Sequence, residues 1–131
     1  MIKIEGELVD EILKWSESEF DQLVLINKPI VINIGSGEVL GQFTVMDENT
    51  LVIELAQIDG GGEGIIPVIN KIAKHISKLK KLDSMEYIVH AINCAKPNLK
   101  LRALLEKAGF SIKEVYGKGE VYYKKIDLTS F

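Results

Sequence analysis

Apolar residues recur along this chain with two different periods, and the switches between them mark out its elements. Ile2-Lys3-Ile4 alternates as a strand does. After Gly6, Leu8, Val9, Ile12 and Leu13 fall at three- and four-residue steps, the spacing of a helix face. Ser16 and Glu19 have capping-box spacing, in which each side chain satisfies the other's free amide. Two short helices are therefore predicted, over 7–15 and 17–24. Three strands follow at 30–34, 39–46 and 51–58, separated by the turn clusters 35–38 and 47–50. Connections this short predict an antiparallel meander.

The period then returns to that of a helix. Ile65, Ile69, Ile72, Ile76 and Leu79 form one buried stripe, and Lys78, Lys80 and Lys81 suit the negative pole at its end. Tyr87 to Asn93 reads as a strand. Pro97 and Asn98 open a helix with Leu101, Leu104, Leu105 and Ala108 on its inner side, and Gly109 ends it. Strands at 111–116 and 120–126 flank Gly117-Lys118-Gly119. The order is β-α-α-β-β-β-α-β-α-β-β. Its two strand–helix–strand crossovers require parallel strands. The expected fold is α/β, a mixed sheet with helices on both faces, in a single domain spanning 1–131.

Composition narrows the function. A chain of 131 residues can bury a core of its own. No apolar run approaches membrane-spanning length, and the start lacks a signal peptide's pattern. The single cysteine, Cys94, gives no internal disulfide, so a cytoplasmic location is expected. A net charge of -3 argues against nonspecific nucleic-acid binding, and the lysines between Lys71 and Lys81 read as a solvated helix face. No spacing suits a metal site. A homodimer is compatible with the sequence.

The segment Gly60-Gly61-Gly62-Glu63-Gly64 stands between a strand and a helix. Glycines there let the backbone approach a ligand, and the free amides of the helix N-terminus favour an anion such as pyrophosphate. A Gly-Lys-Ser/Thr ending is absent, which excludes the usual P-loop. A glycine loop holding no ligand is the alternative.

Two segments resemble the GNAT superfamily, the Gcn5-related N-acetyltransferases. Gln57-Ile58-Asp59-Gly60-Gly61-Gly62 is similar to its Gln/Arg-x-x-Gly-x-Gly/Ala pattern, and a register two residues later, 59–64, places the glycines closer to the helix. The segment from Asn98 to Phe110 is similar to its Asn-x-x-Ala-x-x-Leu-Tyr-x-x-x-Gly-Phe, most closely over Leu105-Glu106-Lys107-Ala108-Gly109-Phe110. The resemblance implies an acetyl-CoA co-substrate lying where strands 51–58 and 87–93 splay apart. Gln57 and Ile58 would then meet the pantetheine arm. Gly60, Gly61, Gly62, Glu63, Gly64 and Ile65 would hold the pyrophosphate, and Asn98 the cofactor arm. It further implies transfer of an acetyl group to an amine of a small molecule or protein.

The chain departs from that family at Leu105, where the family's acid is a tyrosine. Tyr116, Tyr122 and Tyr123 are substitutes for it or ordinary strand aromatics. Two base candidates are visible. Glu54 shares a strand face with Val52 and Ala56, where a cleft would raise its pKa, and His90 shares one with Ile88 and Ile92. His75, among lysines, reads as solvated. Without the tyrosine, a non-catalytic CoA-binding or interaction domain is the competing expectation.

Overall fold

The computed structural model describes residues 3–22, 27–33, 38–56, 65–91 and 99–128. Its strands are β1 (Lys3–Ile4), β2 (Glu7–Leu8), β3 (Pro29–Asn33), β4 (Glu38–Met46), β5 (Thr50–Ala56), β6 (Ser84–Val89), β7 (Ser111–Val115) and β8 (Gly119–Asp127). Its helices are α1 (Val9–Ile12), α2 (Glu17–Gln22), α3 (Ile65–Lys80) and α4 (Leu99–Lys107). The strands form one eight-stranded sheet in the order β2-β1-β3-β4-β5-β6-β8-β7. The expected meander is present as antiparallel β3-β4-β5, and β5 and β6 pair in parallel. The α/β class and the mixed sheet are as the sequence leads one to expect.

Several boundaries differ, among them the end of the first helix, which stops at Ile12 rather than 15. Leu8 pairs with Lys3 in a short hairpin rather than starting a helix. Glu5 and Gly6, at φ 49° and 83°, form its two-residue turn, and paired positive φ values twist such a turn to match its strands. The strand expected at 87–93 is β6, ending at Val89. Its start is drawn back to Ser84 by pairing with Thr50 and Asp127.

Local chemistry explains the helix ends. The Ser16 N–H donates to Glu19 Oε1 at 3.1 Å, and the Glu19 N–H to Ser16 Oγ at 3.4 Å, so the capping box forms ahead of α2. At the end of α4, Gly109 takes φ 94°, and the Phe110 N–H reaches back to the Leu105 carbonyl at 2.9 Å. That closure satisfies carbonyls the helix leaves unpaired. His75 is not solvated as its lysine neighbours suggest: its Nε2–H donates to the Trp15 carbonyl at 2.9 Å, tying α3 to the segment before α2.

The main core lies on one face of the sheet. Ile32, Phe43, Leu51, Ile53, Leu55, Met85, Tyr87 and Val89 meet Ile12 of α1, the Ile65, Ile69, Ile72 and Ile76 stripe of α3, and Leu101 and Leu105 of α4. Each such side chain contributes roughly 1.5–3 kcal/mol when fully buried. The buried residues of α1, α3 and α4 thus lie on one face, where helices were expected on both. The topology supplies the reason. The step β5-α3-β6 and the step β6-α4-β7 move the same way across the sheet. Right-handed crossovers stepping in one direction leave their helices on the same face. The opposite face carries a smaller cluster of Val52, Ile88 and Val121, with Val115 and Tyr123 against it.

Candidate functional site

The register of the three central strands assembles the site. Gln42 opposes Glu54, and Glu54 opposes Ile88, so these side chains share the face turned away from the helices. His90 lies two residues beyond Ile88 and points the same way. Its N–H continues the parallel ladder by donating to the Leu55 carbonyl at 2.9 Å. The two base candidates therefore meet: His90 Nε2 lies 2.6 Å from Glu54 Oε2.

A third group completes the cluster. Lys118 Nζ donates to both Glu54 oxygens at 2.9 Å. It comes from the turn between β7 and β8, whose last pair is Val115 with Gly119. Gly117 and Gly119 flank it at φ 78° and 79°, which lets the turn fold tightly over the ends of β5 and β6. Sequence reasoning passed over Lys118. Its only signal was a position between two glycines at a hairpin tip.

These neighbours overturn the expected rise in the Glu54 pKa. Burial does push the carboxyl upward. The hydrogen bonds from Lys118 and His90, together with their charges, outweigh it and hold the group below its ordinary 4.5. Glu54 is thus ionised at neutral pH. An ionised carboxylate only accepts, so the nearer ring nitrogen of His90 carries a proton. The side chains of His90, Glu54 and Lys118 are 27%, 29% and 36% exposed, within reach of a ligand yet partly shielded from water.

Glu54 and Lys118 border a trough of about 560 Å³ on the face of the sheet away from the main core. Val52 and Ile88 form its apolar floor, and Gln42 and Thr44, bonded to one another at 3.1 Å, form one wall. At its far end the Tyr123 hydroxyl donates to Glu86, and Lys113 Nζ sits 4.2 Å above the Tyr123 ring. Burial, then the bond to Glu86 and its negative charge, push the Tyr123 phenol up to about 12. Tyr116 also lines the trough, fully exposed. Tyr122 faces the helices instead, where its hydroxyl donates to Glu106 at 3.0 Å. Leu105, where the GNAT resemblance would place a tyrosine, is wholly buried in the main core.

Gln57, Ile58, Gly60, Gly61, Gly62, Glu63, Gly64, Asn98 and Cys94 lie outside the described residues. Ile65 is the first residue of α3, is buried, and has no acidic residue beside it in the first turn. The β5–β6 ladder stays paired as far as Leu55 and Val89. Among the described residues no cluster of His, Cys, Asp and Glu could hold a metal ion, and no helix is long and apolar enough to cross a membrane.

Fold and cluster together define an α/β domain with a charged site on the uncovered face of its sheet. No family model matches the chain, and no curated protein is similar to it in sequence. Among solved structures it is similar to the N-acetyltransferase PseH of Campylobacter jejuni, at 16% identity and a TM-score of 0.46, over 98% of this chain and 99% of that one. It is also similar to Ard1 of Thermoplasma volcanium, at 10% identity and a TM-score of 0.39, over 96% and 97%.

Proposed function

We propose that the chain is an acetyl-CoA-dependent N-acetyltransferase of the GNAT kind, acting on an amine of a small molecule or a protein. The observation that carries this reading is the Glu54–His90 pair. It stands at the C-terminal ends of two parallel strands, directly ahead of the glycine-rich segment. The start of α3 fits an anion. The amides of Ile65 and Ile66 have no partner within the helix, and no carboxylate stands in the first turn to oppose a phosphate. In this reading Gln57, Ile58, the 60–64 segment, Ile65 and Asn98 hold acetyl-CoA, which supplies the acyl thioester.

The chain's own groups handle the proton. Glu54 fixes the His90 ring and stabilises it when charged. His90 accepts a proton from the acceptor ammonium, directly or through one water, and the freed amine can then attack. A positioned base of this kind contributes about 10²–10⁴-fold. Leu105 offers no acid, so the departing thiolate takes its proton from water.

A second reading is a domain that binds CoA without catalysis. It is favoured by Lys118, which occupies both oxygens of Glu54, and by the buried Leu105. Calorimetric titration with acetyl-CoA and CoA, followed by thiol release over a panel of amines, tests both. Binding with turnover supports the first reading. Binding without turnover supports the second. No binding at millimolar ligand overturns both.

A further inference from the structure

Lys118 is a primary amine, and it sits against the carboxylate that in turn holds the proposed base, His90. Its Nζ stands 2.9 Å from both oxygens of Glu54, and Glu54 in turn holds His90 at 2.6 Å. The amine is delivered by backbone geometry. The Lys118 N–H is bonded to the Val115 carbonyl at 2.9 Å, and the two glycines on either side close the turn around it. A lysine with no part in the chemistry would gain little here. A partly exposed ion pair contributes little to folding. Lys113, also on the trough, lies over the Tyr123 ring instead, away from the pair.

We infer that Lys118 is itself an acetylation site, modified by the protein's own active site in cis. The inference rests on the transferase reading above. One proton of the Lys118 ammonium passes to water by way of the Glu54–His90 pair. The neutral amine attacks the thioester carbonyl carbon of acetyl-CoA. A C–N bond forms and the C–S bond breaks. The thiolate leaves as CoA and takes up the second nitrogen proton, so the products are an acetamide on Lys118, CoA and one proton. No oxidant or reductant is needed. The acetylated side chain is uncharged and no longer pairs with Glu54. The modification therefore opens the carboxylate to an external ammonium. The acceptors that follow are alkylammonium compounds able to sit where Lys118 sat.

The test uses the full chain with acetyl-CoA, digestion by a protease that does not cut at lysine, and mass spectrometry of acetyl occupancy at every lysine against time. The same chain unfolded in urea reports purely chemical acetylation. Fixed geometry raises the rate of a neighbouring group, so Lys118 is expected to react at least about tenfold faster than Lys113 and faster than itself in urea. Glu54→Gln and His90→Ala are expected to reduce that rate to the chemical background, and Lys118→Arg to abolish the modification. If external amines are acetylated while Lys118 reacts no faster than other exposed lysines, the inference is overturned and the transferase reading stands. An unchanged Lys118 rate in Glu54→Gln overturns it as well. If the protein neither binds acetyl-CoA nor turns over any amine, the transferase reading falls first and takes the inference with it.

Discussion

His90 Nε2 and Glu54 Oε2 stand 2.6 Å apart although 36 positions separate the two residues in the chain. Parallel pairing across a helical crossover brings them together. Glu54 opposes Ile88, and His90 follows on the same face just past the end of β6. Neither residue alone makes a useful base here. Glu54 is held ionised by its neighbours. In the proposed reaction it would fix one ring nitrogen of His90 and stabilise the charge that ring acquires.

Replacing Glu54 by Gln keeps the shape and removes the charge. Amine turnover is expected to fall by about 100-fold or more, the scale of a lost acid–base function. The melting temperature should change little, since the pairs it breaks are partly exposed. Thiol release and thermal melting measure the two effects separately. Undiminished turnover would remove Glu54 from the chemistry.

Acid should weaken the fold through this same group. Its pKa is lower in the folded chain than in the unfolded one. Folding therefore releases a proton, and the stabilisation is present in full above the unfolded value of 4.5. It is lost as pH falls through the folded value. Melting curves followed down through the carboxylate range should show this loss in the native chain, and a flatter profile in Glu54→Gln.

Tyr123 behaves in the opposite sense. Its folded pKa of about 12 exceeds the ordinary 10.0. Its contribution is present below 10.0 and disappears as pH rises toward 12. Tyr87 and Tyr122 are raised as well, so ultraviolet titration of the native chain against Tyr123→Phe should isolate this group, and Glu86→Gln should bring it down.

Introducing at position 105 the tyrosine that the GNAT resemblance implies should not create an acid. Leu105 is completely buried among core residues on the helix side, away from the trough. Leu105→Tyr forces a larger side chain and a hydroxyl into that core. A loss of about 1–3 kcal/mol is expected by denaturant unfolding, with no gain in turnover. Increased turnover would show that position 105 reaches the reacting atoms.

Gly41 in β4 offers a test of packing behind the site. A Cβ there would meet Ile32 Cδ1 at 3.1 Å and Leu55 Cδ2 at 3.2 Å. Gly41→Val should cost about 1–3 kcal/mol by denaturant unfolding. Because Leu55 neighbours Glu54, turnover should fall with it. A stable variant would mean that the Ile32 and Leu55 side chains shift to make room.

Much of this architecture was legible because local patterns decide it. The α3 stripe, the Ser16–Glu19 box and the Gly109 terminus each lie within a few residues, and each forms as the pattern demands. The start of β6 was not legible. Asp83 and Ser84 carry turn chemistry, and only the ladder to Thr50 and Asp127 makes Ser84 a strand residue. The site was half legible. Alternation assigned Glu54 and His90 each to a face, and those faces are correct. No local pattern gives the register between strands separated by a helix, so their contact was hidden. Lys118 was hidden for the same reason, and with it the cause of the lowered Glu54 pKa.

The clustering of helices on one face has an evolutionary consequence. On the transferase reading, stability and ligand choice fall on opposite sides of a single sheet. Gln42, Thr44, Met46 and Lys113 line the trough but lie outside the main core. Substitutions among them can change which molecule fits while the isoleucine stripe of α3 keeps the fold intact. Such a scaffold can explore new acceptors one residue at a time, with its foundation on the far side untouched.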